Sequence, residues 1–549
     1  MKTSVRTAEM PPDAAPPGPG LRLGAWAGWA IVVAVVAVGV MGFFLWIYPA
    51  KGFTVPIGWD TSRYIWKTTL AQRFGIAHIQ SVVRPPVNAD PARPGFPALA
   101  GTLSSLSGAN LFRLAAVLPA VMAAAIGLAA GAFVAATLRR PAWEAVAVAV
   151  AVGTSAFVVR LAGPEGYQDN LFAAAVFMAA AVPLAMALRD RRALLPAVLL
   201  FGAGGVIHWA FFLFMFGTLG LVALTYLPAS WRAWRANDER LLDTPAARIG
   251  EVAVGGALIA GGTIFGVLSA VPHSPKLSYN EFADKLKRDL PKYRFPLILP
   301  LAGAGVASLL VGSRRPAASG TDGPHDDGGV RERTRFVLAF LLAWCAVVLA
   351  GYLGFRVAHL RIPAHRFLAF GLALPLLAIL GILWLARLAG RGIERATRSA
   401  PAGAAVAIVL VAAALGGSTF LSHEQWFKVV PWMKPYTVQQ ATSVEAYLEA
   451  AHIAIDRPVV FVVRNKDPNF AALLGNMIRA SLPAERIPEV YLYAGSPSDY
   501  LARRPTPAPS GGPNWLSPRY LSYMRDTYAR NPVALILEST NRVFYLPWA

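Results

Sequence analysis

The sequence predicts a polytopic α-helical membrane protein of about eleven spans, ending in a small extracytoplasmic α/β domain. Three observations carry that reading. Hydrophobic residues make up 56% of the 549-residue chain and charged residues only 15%, against about one quarter charged in a soluble domain. The mean hydropathy is +0.48. Apolar runs long enough to cross ~30 Å of hydrocarbon, about 20 residues each, recur between residues 24 and 421.

Taken in order, residues 1–21 contain the Pro- and Ala-rich stretch "TAEMPPDAAPPGPG" and read as a disordered cytoplasmic N-terminus. The first apolar run, 24–49, is too long for a signal-peptide core, and no small-residue cleavage site follows it. It reads as a retained anchor. Further spans fall at 110–138, 142–161, 170–188, 193–207, 208–227, 249–271, 296–313, 335–355, 367–387 and 402–421. The stretch 193–227 is continuous and apolar, with "RDRR" before it and "SWRAWR" after it. If both basic clusters are cytoplasmic, an even number of crossings separates them. The stretch is too long for one helix, so a tight hairpin is predicted, turning near "GGVIHWA" with His208 at its tip.

This parity places the N-terminus in the cytoplasm and the C-terminus outside, in a cell (cytoplasmic) membrane. The loops it makes cytoplasmic are rich in Arg, as the positive-inside rule expects. The net charge of +21 is explained by these loops, and no nucleic-acid-binding motif accompanies it. Two outer loops break the rule locally: 272–295, with Lys276, Lys285, Lys287, Arg288, Lys292 and Arg294, and 356–366, "RVAHLRIPAHR". The first set reads as contacts to lipid headgroups. The single cysteine, Cys345, excludes an internal disulfide.

The first outer loop, 50–109, is the longest between spans. Within it, 61–74 ("TSRYIWKTTLAQRF") reads as an interfacial helix with Trp66, Leu70 and Phe74 on one face. A second short helix is expected around "PGFPALAGTLSSLSG". Beyond 421 the composition changes. "RPVVFVVRN", "EVYLYAG" and "PVALILES" read as strands and "NFAALLGNMIRASLP" as an amphipathic helix, so 422–549 is expected to form the outer domain and 22–421 the membrane domain.

Ionisable groups at a membrane edge are costly and are therefore candidates for function. Asp60, in "GWDTSRYIW", follows the first span; its plain alternative is an N-cap for the helix at 61. Asp169 opens the fourth span in "GPEGYQDN", with Glu165 four residues earlier, and could equally serve a helix dipole. Both acids fall on the outer face and could converge on one cavity. His359, Arg361, His365 and Arg366 in "HLRIPAHRF" suit a phosphate site, since guanidinium groups grip phosphate with paired hydrogen bonds. The alternative is snorkelling to lipid phosphates. His208 could be a donor or a locally satisfied group. Carboxylates beside cations suit glycosyl transfer from a lipid-linked sugar phosphate: one acid takes the acceptor proton and cations stabilise the leaving phosphate.

These features resemble the GT-C glycosyltransferase superfamily, in its polyprenyl-phosphate-sugar-dependent, protein mannosyltransferase/aminoarabinose transferase-like branch. The resemblance covers roughly 1–421. It rests on "GWD" after span one, "YQDNLFAAAVFMAAAVPLAMAL" opening span four, the hairpin with a polar tip at His208, and "HRFLAFGLALPLL" late in the membrane part. It implies a GT-C-like fold, with Asp60 as catalytic base and Asp169 orienting Asp60 or the acceptor. It implies substrate-binding roles for Glu165, His208, His359, Arg361, His365 and Arg366. The partners implied are a polyprenyl-phosphate-linked sugar donor, a lipid, polysaccharide or protein acceptor, and membrane lipids. Three departures stand out. The first loop lacks an Asp-Glu pair, His208 stands where related enzymes often have Lys, and the second acid of an Asp-x-Asp metal motif is missing, since Tyr167 stands two residues before Asp169. No metal requirement is expected, although Glu165 could join Asp169 around a divalent cation, Mg or Mn. The rival readings are a flippase or transporter of lipid-linked sugars and a non-catalytic envelope scaffold. The first needs polar groups near the midplane, whereas Glu144, Arg160 and Glu251 lie near span ends.

Overall fold

The computed structural model describes residues 19–46, 49–50, 52, 58, 60–75, 94–163, 166–237, 240–270, 291, 293–314, 327–357, 368, 370–429, 444–450, 452–455, 459–464, 477–483, 485–486, 490–493, 533–538 and 543–547. The membrane part is all-helical. Its helices are α1 (Pro19–Leu45), α2 (Thr61–Phe74), α3 (Gly95–Ser107), α4 (Leu111–Leu138), α5 (Ala142–Gly153), α6 (Ala156–Ala162), α7 (Gln168–Ala187), α8 (Leu194–Ile207), α9 (Trp209–Arg235), α10 (Pro245–Ala270), α11 (Phe295–Arg314), α12 (Asp327–Val357), α13 (Ala373–Thr397) and α14 (Ala400–Val429). After it come α15 (Val444–Ala450) and the strands β1 (Val459–Arg464), β2 (Val490–Tyr493), β3 (Val533–Glu538) and β4 (Val543–Pro547). The strands form one sheet in the order β2-β1-β3-β4, in which β1 runs parallel to β2 and β3, and β4 is antiparallel to β3.

Each of the eleven apolar runs is helical over most of its described residues, but fewer qualify as spans. Among the described residues, eight helices are long and apolar enough to cross a membrane, or nine if the bent pair α5/α6 counts as one. The runs not among them are 193–207 and 249–271, the second lying in the 26-residue α10, whose last turns are only partly described. The first forms α8, whose 14 residues reach only ~21 Å along the axis. The α5/α6 pair bends by 46° at Thr154–Ser155. There the Thr154 hydroxyl donates to the Val150 carbonyl at 2.8 Å, and the Ser155 side chain accepts from the Val158 N–H to start α6. Hydroxyl side chains that compete for backbone groups are a usual cause of such bends.

Contacts at the helix ends sort into two sets. At one end Glu144 pairs with Arg387, Arg189 with Glu332 at 2.8 Å, and Arg191 with Asp243 and Glu251 at 3.4 Å. At the same end the Ser230 hydroxyl accepts the Ala246 N–H. At the other end residues 58–61 meet 163–166, Gly95 meets Ile207, and His208 meets Phe370. The short α8 therefore still serves as one leg of a hairpin with α9, turning at His208, and the up–down alternation holds through it.

Helix α2 differs from its sequence reading. Trp66, Leu70, Tyr64 and Ile65 are all buried inside the protein, so the apolar stripe faces protein rather than lipid. Its apolar stripe packs on α3 and α4. An amphipathic pattern signals that one face leaves water, whether for lipid or for protein.

Candidate functional site

The site is built where two loops cross. Gly58 and Gly166 pack against each other with Thr61 between them. A Cβ on Gly58 would lie 2.6 Å from the Gly163 carbonyl oxygen and 2.9 Å from the Gly166 Cα. A Cβ on Gly166 would lie 2.9 Å from the Thr61 backbone nitrogen and collide with its hydroxyl. Gly166 also has a φ of +63°, which glycine adopts without strain. Only glycines allow this approach, and it sets Asp60 beside the loop that leads into Asp169.

Asp60 occupies the N-cap position of α2, yet its carboxylate makes no capping hydrogen bond. The residue is partly buried. Among the described residues its side chain has no hydrogen-bonding or ionic partner. The capping alternative thus fails for this residue.

Asp169 behaves differently. It is fully buried, and its Oδ1 accepts the Phe96 backbone N–H at 2.6 Å. That N–H belongs to the first turn of α3, so Asp169 caps a helix 73 residues away in sequence and couples α7 to α3. Gln168 and Asn170 flank it and are 1% and 2% exposed. Neither amide atom of Gln168, nor the Asn170 amide nitrogen, has a hydrogen-bond partner among the described residues. Buried polar groups in this condition cost about 1–3 kcal/mol each unless water or a bound molecule satisfies them. Sequence reasoning passed over both amides, although they lie in the quoted motif.

His208 is buried at the α8–α9 break. Its Nδ1 accepts the Phe211 N–H at 3.1 Å, which assigns the ring proton of the neutral form to Nε2. The ring meets Phe370 edge-on, with centroids 5.9 Å apart, and Phe370 in turn packs on Phe211 and Phe214. The first role of His208 is therefore local, as the cap of α9.

Two cations complete this end of the bundle. Arg160, buried in the last turn of α6, lies over the Tyr293 ring at 5.5 Å. Arg294, with φ +56°, lines a cavity of about 290 Å³ together with Ser155, Ile298, Pro375, Ile382 and Leu415. Its guanidinium has no ionic or hydrogen-bonding partner among the described residues. The cavity is otherwise mostly apolar and runs along α11, α13 and α14 from the end that holds the site. A larger groove of about 750 Å³ around Trp29 and Gly131 is lined by apolar side chains and offers no comparable cation. In the sequence Arg294 is one of six loop cations, and nothing ranks it above the others.

Glu165, His359, Arg361, His365 and Arg366 lie outside the described residues, as do Lys276, Lys285, Lys287, Arg288 and Lys292. Among the described residues no group of three His, Cys, Asp or Glu gathers where a metal ion could be held.

No family model and no curated protein matches the chain. Among solved structures it is similar to the archaeal oligosaccharyltransferase AglB from Archaeoglobus fulgidus, in complex with an inhibitory peptide and a dolichol-phosphate. The identity is 13% and the TM-score 0.48, over 92% of this chain and 69% of that one. It is also similar to ArnT from Cupriavidus metallidurans bound to undecaprenyl phosphate, at 15% identity and a TM-score of 0.42, over 93% of each chain.

Proposed function

We propose that this protein is a membrane glycosyltransferase that moves a sugar from a polyprenyl-phosphate donor to a cell-envelope acceptor at the outer face. The observation that carries the reading is Asp60. Its carboxylate stands at a helix start without taking the cap bond, held by a crossing of glycines against the loop of Asp169. A partly buried acid that takes no cap bond and has no partner among the described residues is suited to take a proton from substrate.

In the reaction proposed, the acceptor hydroxyl oxygen attacks the anomeric carbon of the donor sugar. The bond from that carbon to the phosphate oxygen breaks, and its electron pair leaves with the polyprenyl phosphate. The acceptor proton passes to Asp60. The configuration at the anomeric carbon inverts. Asp169 acts as a positioning group, fixing α3 against α7. The amides of Gln168 and Asn170 bind sugar hydroxyls, which gives those buried groups their partners. Arg294, at the cavity beside α11, holds the donor phosphate while the chain lies along the apolar walls, and Arg361, His365 and Arg366 add to that charge. Substrate-binding roles are proposed for His359, Glu165 and His208 as well. A divalent cation near Asp169 is not needed for this scheme, since the leaving charge is met by arginines.

The test separates transfer from transport. Purified protein in vesicles is given a polyprenyl-phosphate sugar labelled in the sugar, with crude envelope acceptors. Label that becomes covalently attached to acceptor supports a transferase. Label that crosses the bilayer still on its lipid supports the flippase reading instead.

A further inference from the structure

The C-terminal part of the chain meets the membrane part at α2. The helical turn at 477–481 and the turn at 485–486 lie against that helix. The Arg479 guanidinium sits over the Trp66 ring, 5.1 Å from its centre, and Arg73 faces Glu485 at 3.7 Å. The first contact is closed to solvent, with Arg479 5% and Trp66 3% exposed. Met477 and Ile478 beside it are buried as well. A cation is costly to bury without compensation, and the face of a tryptophan is the best of the aromatic partners for it. The turn is itself fixed from behind. The Arg486 Nε donates to both Glu445 oxygens at 3.0 and 2.8 Å, and its other nitrogens reach the carbonyls of Ala454 and Ile453 at 3.0 and 3.2 Å.

Helix α2 is thus held at two places. Its first turn is pinned where Thr61 sits between Gly58 and Gly166, and its middle is pinned by Trp66 under Arg479, with the exposed Arg73–Glu485 pair marking where its last turn faces the C-terminal segment. Two anchors fix the tilt of a helix, and with it the direction of a group at its start.

We propose that the C-terminal segment is a positioning element of the transferase site: through Arg479 on Trp66 it sets the tilt of α2 and so aims the Asp60 carboxylate. The proposal rests on the reading of Asp60 as the base. Arg479 touches no substrate in this scheme. Its loss turns the base without disturbing the cations that hold the donor, so kcat falls while the donor KM stays.

The test uses the full chain with its one cysteine removed (Cys345→Ser). Arg73→Cys and Glu485→Cys are introduced and joined by a short bismaleimide. The proposal expects efficient crosslinking and a crosslinked protein that still turns over. Arg479→Ala in this background should lower the crosslinking yield and, in the uncrosslinked protein, lower kcat about 10-fold or more, the scale of a small misplacement of a reacting group. Arg479→Lys and Trp66→Phe, which keep a cation and a ring, should recover most of both readouts. Crosslinking reads the clamp without any activity. A crosslinked protein that is dead, or an Arg479→Ala protein with unchanged kcat beside an inactive Asp60→Asn, overturns the positioning role and leaves the proposed function standing. An Asp60→Asn protein as active as wild type removes both.

Discussion

Replacing Gly166 by alanine tests the loop crossing that places Asp60. At φ +63° a residue with a Cβ carries about 1–2 kcal/mol of left-handed strain. The added carbon would also lie 2.9 Å from the Thr61 backbone nitrogen and collide with its hydroxyl. The hydroxyl can rotate away; the backbone cannot. Overpacking of this kind adds about 1–3 kcal/mol, and the cheapest relief is for the 58–61 and 163–166 loops to move apart. A shift of about 1 Å at a reacting group can cost ~100-fold in rate. The molecule supplies its own control. Gly108 has nearly the same φ, +68°, with nothing within 4 Å of a Cβ. Gly108→Ala therefore carries the backbone strain without the collision. Initial rates of sugar transfer and thermal unfolding in detergent would be measured for both. Both should lose stability, and only Gly166→Ala should lose most of its turnover. If Gly166→Ala turns over like Gly108→Ala, the crossing does not position the site.

Asp60→Asn should abolish transfer with little change in unfolding temperature, because no cap bond is lost, whereas Asn110→Ala, which removes the acceptor of the Phe112 N–H at 2.8 Å, should cost ~1 kcal/mol of stability. Asp169→Ala should damage stability and turnover together, since it removes the Phe96 bond; hydrogen bonds to charged groups contribute about 1.5–3 kcal/mol, readable by thermal unfolding. Arg294→Ala should raise the Kd for polyprenyl phosphate, measured by titration into detergent-solubilised protein, and leave unfolding unchanged. Glu144→Ala removes the buried carboxylate that accepts from Arg387 at 2.8 Å, an arginine that stays about a quarter exposed; a hydrogen bond to a charged group contributes about 1.5–3 kcal/mol, so unfolding temperature should drop while the donor KM stays put.

Much of the membrane part was legible because hydrophobic length is a local property. Each apolar run is helical over most of its described residues, and the turn at His208 follows from the basic clusters that flank 193–227. What failed was the inference from run to span: an apolar run does not say how far along the bilayer normal its helix reaches, and α8 is too short. The burial of α2 was equally illegible, since Trp66 and Leu70 would show the same spacing against lipid. Asp60 could be singled out because a carboxylate after a span needs a reason. That Asp169 caps α3 could not be read, because the pairing of Asp169 with Phe96 exists only once α3 and α7 are packed. Arg294 lay in the same position, as one basic residue among several until the cavity beside it formed.

The most direct test of the account is the release of free polyprenyl phosphate by purified protein supplied with a panel of polyprenyl-phosphate sugars and envelope acceptors, with Asp60→Asn alongside. Acceptor-dependent release is expected from the wild type and none from the folded variant. Equal release from both would contradict the role of Asp60 as base, and no release from any donor by the folded wild type would contradict the glycosyltransferase itself.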